Sequence, residues 1–176
     1  VYGEAPIANL MLSSKVYENT DQVKAALHIK VPPFRDVDDQ RALWKASGQG
    51  WLHTIGSHHR PFLRADKIRH LEVFDQVPVG CGAIEERMAL CWHLGINSGR
   101  LTPSQFVALT STRTARLFHL YPHKGVVCPG ADADIVLWDP EAHYSWSAQT
   151  HHSRSDNSLY EGLTTKGQAV ITVCGG

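Results

Sequence analysis

Nowhere in these 176 residues do the roughly 18 consecutive apolar residues of a membrane-spanning helix occur, and no signal-peptide pattern opens the sequence. Charge of one sign is lacking too, since 17 Lys and Arg face 17 Asp and Glu. Nucleic-acid binders depend on a basic excess that displaces counterions from phosphate, so the balance excludes that class. Cysteine is sparse: Cys81, Cys91, Cys128 and Cys174 form no Cys-x-x-Cys pair, which excludes a zinc ribbon, a thioredoxin motif and a disulfide framework. The expectation is a cytoplasmic protein without membrane or nucleic-acid partners. Glycine-rich phosphate loops, Gly-x-Ser-x-Gly elbows and His-x-His pairs are also missing.

What is present reads as an ordinary globular composition, 43% hydrophobic and 19% charged, with 11 histidines. Both ends read as cut. The chain opens on Val1, and the β-branched run Ala169 to Cys174 is followed only by Gly175-Gly176.

Periodicity divides the chain into an α/β body and a β-rich tail. The apolar run Ala25 to Val31 meets Pro32-Pro33, which excludes a central strand there. Asp36, Asp38 and Asp39 precede the helix-forming Ala42 to Ala46, with Gly48 as a stop. Trp51 to Gly56 predicts a strand running into the loop Ser57-His58-His59, the kind of edge where α/β sites sit. The spacing of Ile84, Met88, Cys91 and Trp92 predicts one helix face, with Glu85 and Glu86 in the first turn and Gly95 as the stop. Thr102-Pro103-Ser104-Gln105 is a capping box with proline at the first helical position, opening a helix that continues towards Tyr121-Pro122. After Pro122, strands are predicted at Val126 to Cys128, Ile135 to Trp138, Tyr144 to Ser147 and Ala169 to Val173.

Chemistry-bearing residues are few. Histidines at the carboxyl end of a strand, His58 or His59 with His53 upstream, can ligate zinc or move protons, although neighbours on an extended chain point to opposite sides. His151, His152 and Asp156 form a second cluster, read as solvated surface. Glu85 and Glu86 suit a helix macrodipole, and Asp132 and Asp134 suit turns.

An ordered succession of segments is more specific. Ile55-Gly56-Ser57-His58-His59, Gly82 to Met88, Phe106 to Thr112, Leu120 to Gly125, Gly130 to Pro140, Ser147 to His152 and Tyr160-Glu161-Gly162 follow one another. Together with Pro32-Pro33-Phe34-Arg35 and Ala42-Leu43-Trp44, they resemble the carboxyl-terminal part of the dihydropyrimidinase and hydantoinase family, which includes the dihydropyrimidinase-related proteins. The resemblance implies the last part of a (β/α)8 amidohydrolase barrel over residues 1–123, followed by part of a small β-sandwich over 124–176. A whole barrel needs about 250 residues. It implies hydrolysis of a small cyclic amide, a dihydropyrimidine or hydantoin, at two zinc ions, in a homotetramer.

Carried over residue by residue, the resemblance gives His58 the position of an aspartate that ligates metal and acts as base in the enzymes. Val31 and Val79 stand where the family contacts substrate through the main chain. An imidazole brings no negative charge when neutral, so the water-activating role of the aspartate is not transferred. The resulting expectation is a segment of a zinc-dependent cyclic amide hydrolase, inactive and without its zinc when isolated. The alternative expectation is a noncatalytic scaffold that acts through self-assembly, like the dihydropyrimidinase-related proteins.

Overall fold

The structure, a computed structural model, describes residues 1–176. Its first half is built around a parallel strand pair, β1 (Glu4–Pro6) and β2 (Thr54–Gly56), in the register Glu4 with Thr54, Ala5 with Ile55 and Pro6 with Gly56. Parallel strands need a long crossover. Here it consists of α1 (Ile7–Met11), a 3-10 turn at Ser14–Glu18, α2 (Gln22–Leu27) and α3 (Val37–Gly48). The α/β expectation for this half therefore holds.

Local chemistry fixes the ends of these helices. The Asp21 carboxylate accepts from the Val23 and Lys24 N–H groups at 3.0 and 3.3 Å, capping α2. Asp38 and Asp39 lie in the first turn of α3, where negative charge is favoured. The buried Trp44 donates its indole N–H to Leu10 O at 2.8 Å, locking α3 onto α1.

Beyond β2 come α4 (Arg64–Ile68) and α5 (Arg87–Cys91), the latter continuing as a π-helical turn over Trp92–Ile96. Two readings of this stretch need correction. Glu85 and Glu86 precede the helix, and Ile84 is 59% exposed, because the chain is still turning out of the 81–84 loop. Gly95 does not stop the helix; it is buried within the π turn, where an added Cβ would lie 2.9 Å from Leu101 Cδ1. Close packing, rather than a C-cap, explains this glycine.

A continuous helical rod follows: α6 (Pro103–Val107), a π turn at Ala108–Thr112 and α7 (Arg113–Leu117). Thr102 Oγ1 accepts from Gln105 N–H at 3.2 Å, and Gln105 Oε1 accepts from Thr102 N–H at 2.7 Å, the reciprocal box expected from the sequence.

The tail holds one antiparallel pair, β3 (Ile135–Ser145) and β4 (Thr164–Val173). The strands read at Ile135 to Trp138 and Tyr144 to Ser147 are one strand, which passes Pro140 at a register irregularity between Asp139 and His143. Val126 to Cys128 is not a strand. It lies in turns between Gly125 at φ +82° and Gly130 at φ +89°, and Val127 is 81% exposed with no ladder to join.

One core joins the two halves. Ile7, Leu10 and Ile55 from the βαβ unit, Leu90 and Leu109 from the helices, and Trp146 and Tyr160 from the tail form one buried cluster. Each large apolar side chain so buried contributes roughly 1.5–3 kcal/mol.

Candidate functional site

Sites on α/β folds lie beyond the carboxyl ends of the parallel strands. Here β2 ends at Gly56 and the chain enters Ser57-His58-His59. His58 sits in the left-handed region at φ +49°, with its side chain exposed. His59 turns inward. Its Nδ1 accepts from the Ala83 and Ile84 N–H groups at 3.2 and 3.3 Å, which assigns the neutral ring's proton to Nε2. Burial, then the nearby His151, lowers the His59 pKa below the usual histidine value. His53, at the other end of β2, has its Nδ1 3.2 Å from the Gly3 N–H. The three histidines thus do separate things.

The second cluster is also structural. His152 pairs through Nδ1 with Glu85 Oε1 at 2.9 Å, and its N–H reaches Glu85 Oε2 at 2.7 Å. Asp156 accepts from Arg64 N–H at 2.7 Å. Asp132 and Asp134 both hold Lys124, across a 3.0 Å bridge in the case of Asp132. No three His, Cys, Asp or Glu side chains converge as a metal site would require. By themselves these residues do not fit a pair of zinc ions.

Val31 and Val79 do come together. They line one cavity of about 580 Å³, between α2 with its extension to Pro33 on one side and the segment from Leu71 to Val79 on the other. His58 is not among the lining residues. Nine of the thirteen lining residues are hydrophobic, which suits a small organic ligand. The two walls are tied by Gly80 N–H donating to Ile29 O at 3.0 Å. Gly80 has φ +150°, and a Cβ there would approach Arg60 O to 2.5 Å, so the close crossing requires glycine.

Lys30, one of the lining residues, belongs to a set of buried polar groups that sequence reading missed. Lys30 and Lys67 are 3% and 2% exposed. Lys67 donates to Ile29 O at 2.7 Å, and Lys30 to Asn9 Oδ1 at 2.6 Å and Pro32 O at 3.0 Å. The Cys81 thiol donates to Leu27 O at 3.5 Å. Burial lowers both lysine pKa values; it raises that of Cys81, against the opposing pull of the two ammonium groups. The available signal was a lone lysine within the apolar run Ile29-Lys30-Val31. Glu86, 4% exposed, is pushed above the usual carboxyl range by burial.

Comparison with known proteins bears on this geometry. The model of the amidohydrolase family matches residues 14–176. A dihydropyrimidinase of Arabidopsis thaliana is 38% identical over 176 residues, covering 100% of this chain and 33% of the relative. The human dihydropyrimidinase-related protein 5 is 36% identical over 177 residues, 31% of its length. The crystal structure of a dihydropyrimidinase from Brevibacillus agri superposes with a TM-score of 0.96 at 36% identity, covering 100% of this chain and 38% of that one. A D-hydantoinase from Thermus sp. gives 0.94 at 36% identity, covering 98% and 38%. The chain thus spans about a third of the length of the curated relatives it matches.

Proposed function

The chain belongs to the amidohydrolase family, on its dihydropyrimidinase and hydantoinase branch, and from that premise we propose that it is the ring-holding part of a cyclic amide hydrolase. In this reading residues 1–123 are the end of the barrel and 124–176 part of a β-sandwich. The change from parallel pairing in β1 and β2 to antiparallel pairing in β3 and β4 supports that division. The whole protein opens dihydropyrimidines or hydantoins at the ring C–N bond, as a cytoplasmic homotetramer.

The observation that carries the reading is that Val31 and Val79, far apart in sequence, share one mostly apolar cavity. A planar ring amide presents N–H donors and C=O acceptors at its edge. Main-chain groups at the two valines would orient it while the apolar wall covers its faces. His58 occupies the metal and base position of the family but stands alone, so no hydrolytic step is assigned to these residues, and the isolated chain holds the ring without opening it. The zinc pair belongs to the whole enzyme.

A second reading, the noncatalytic scaffold that works by self-assembly, is favoured by His58 at the aspartate position and by the likeness to a dihydropyrimidinase-related protein. One titration separates the two. When dihydrouracil is added to the isotope-labelled chain, the hydrolase reading expects saturable shifts of the Val31 and Val79 amide resonances. No shift at either position, with ring in large excess, would leave the scaffold.

A further inference from the structure

The N–H groups of Ala83 and Ile84 find no main-chain carbonyl to donate to. Ala83 is 1% exposed, and a buried N–H left unpaired is unfavourable. One atom accepts from both: His59 Nδ1, at 3.2 and 3.3 Å. The residue before it has an unusual backbone. His58 lies at φ +49°, a left-handed conformation that a residue with a Cβ keeps only where its surroundings hold it there. The hold on His59, one residue on, supplies that constraint.

What His59 grips is the continuation of a cavity wall. Val79 lines the 580 Å³ cavity, and the Gly80 N–H that follows it donates to Ile29 O at 3.0 Å. Next, Cys81 O accepts from the Arg60 N–H at 2.9 Å, in a parallel bridge between His59 and Cys81. Main-chain bonds thus fix residues 80 and 81. Beyond Gly82 the N–H groups of Ala83 and Ile84 depend on the imidazole alone. The loop after β2, which presents His58, is therefore fastened to the chain that presents Val79 by the Arg60 bond and by one side chain, His59.

We propose that His59 is a positioning residue for ring binding: through Nδ1 it sets the loop that carries His58 against the Val79 wall, so that the two keep one separation. Positioning of this kind matters to rate, since about 1 Å of misplacement can cost about a hundredfold. The inference rests on the hydrolase reading. It adds to that reading a residue that acts through the main chain of others and touches no ring.

Two variants of the 176-residue chain separate this role from packing. His59→Asn keeps an acceptor oxygen close to the place of Nδ1, whereas His59→Leu fills the space without one. Hydrogen exchange at Ala83 and Ile84 is expected to stay slow in His59→Asn and to become at least tenfold faster in His59→Leu. Dihydrouracil, followed by its shift of the Val79 amide, is expected to bind His59→Leu at least tenfold more weakly and His59→Asn as it binds the unaltered chain. Equal binding by His59→Leu and the unaltered chain overturns the inference and leaves the hydrolase reading, as do unchanged exchange in His59→Leu and equal loss in both variants. Absence of ring binding by the unaltered chain overturns the hydrolase reading and this inference with it. If His59→Leu does not fold, the unaltered chain still decides: nitrogen-15 resonances of the neutral His59 ring are expected to show Nδ1 bare and Nε2 protonated, and a proton on Nδ1 overturns the inference.

Discussion

At the scale of single residues, burial decides the chemistry more than residue type does. Cys91 has its thiol pushed up to about 12 by burial, and Cys81 is raised by the same cause, whereas Cys128 and Cys174 are exposed. Since the thiolate is the reactive form, a thiol-specific reagent is expected to label Cys128 and Cys174 in the native chain and all four only after denaturation. Peptide mapping after labelling checks this, and native labelling of Cys81 at the rate of Cys128 would contradict it. The burial of Cys91 was legible, since it shares an apolar helix face with Met88 and Trp92, whereas that of Cys81, set between Gly80 and Gly82, was not. Glu85 and Glu86 make the same point. The sequence reads them as a pair at a helix start, yet Glu85 faces His152, 67 positions away, while Glu86 is buried beside other groups. Contacts of that span leave no local trace.

At the scale of elements, local signals were read well wherever the chemistry is local. The Thr102–Gln105 box depends on two side chains and two adjacent backbone groups, all within four residues, and it forms as read. Removing the Thr102 hydroxyl by Thr102→Ala is expected to cost about 1 kcal/mol, measured as a lower denaturation midpoint at unchanged slope. Loss below about 0.3 kcal/mol, outside the usual range for caps, would show that the rod from Pro103 to Leu117 is held by tertiary packing alone. The misread elements share a different cause. Val126 to Cys128 has β propensity but no partner strand, and a strand exists only where its hydrogen bonds are taken up. The strand read at Ile135 to Trp138 runs on past Pro140, because the register irregularity there accommodates the proline. Gly167, at φ +100° in β4, has no local reason; a Cβ there would enter the Trp92 indole, so the packing of ribbon on helix requires it.

At the scale of the whole molecule, a βαβ unit, a helical layer and an antiparallel ribbon share one core. The α/β class was legible from strand and helix patterning, and the family from ordered motifs that run across most of the chain. The candidate site was legible only in part. Val31 and Val79 were named from resemblance and His58 also from its place at a strand end, and the fold puts the two valines in one cavity with His58 outside it. Lys30 and Lys67 escaped, because sequence alone does not show that two lysines lie buried beside the same peptide.

The central claim is that this chain holds a ring amide but does not by itself open it. Ring opening by the purified 176-residue chain, assayed with dihydrouracil and hydantoin in the presence of added zinc, tests that claim most directly. The account predicts no hydrolysis above a zinc-containing buffer without protein. Saturable ring opening that is abolished by His58→Ala would contradict it, and would show that His58 works in a metal centre these residues build on their own.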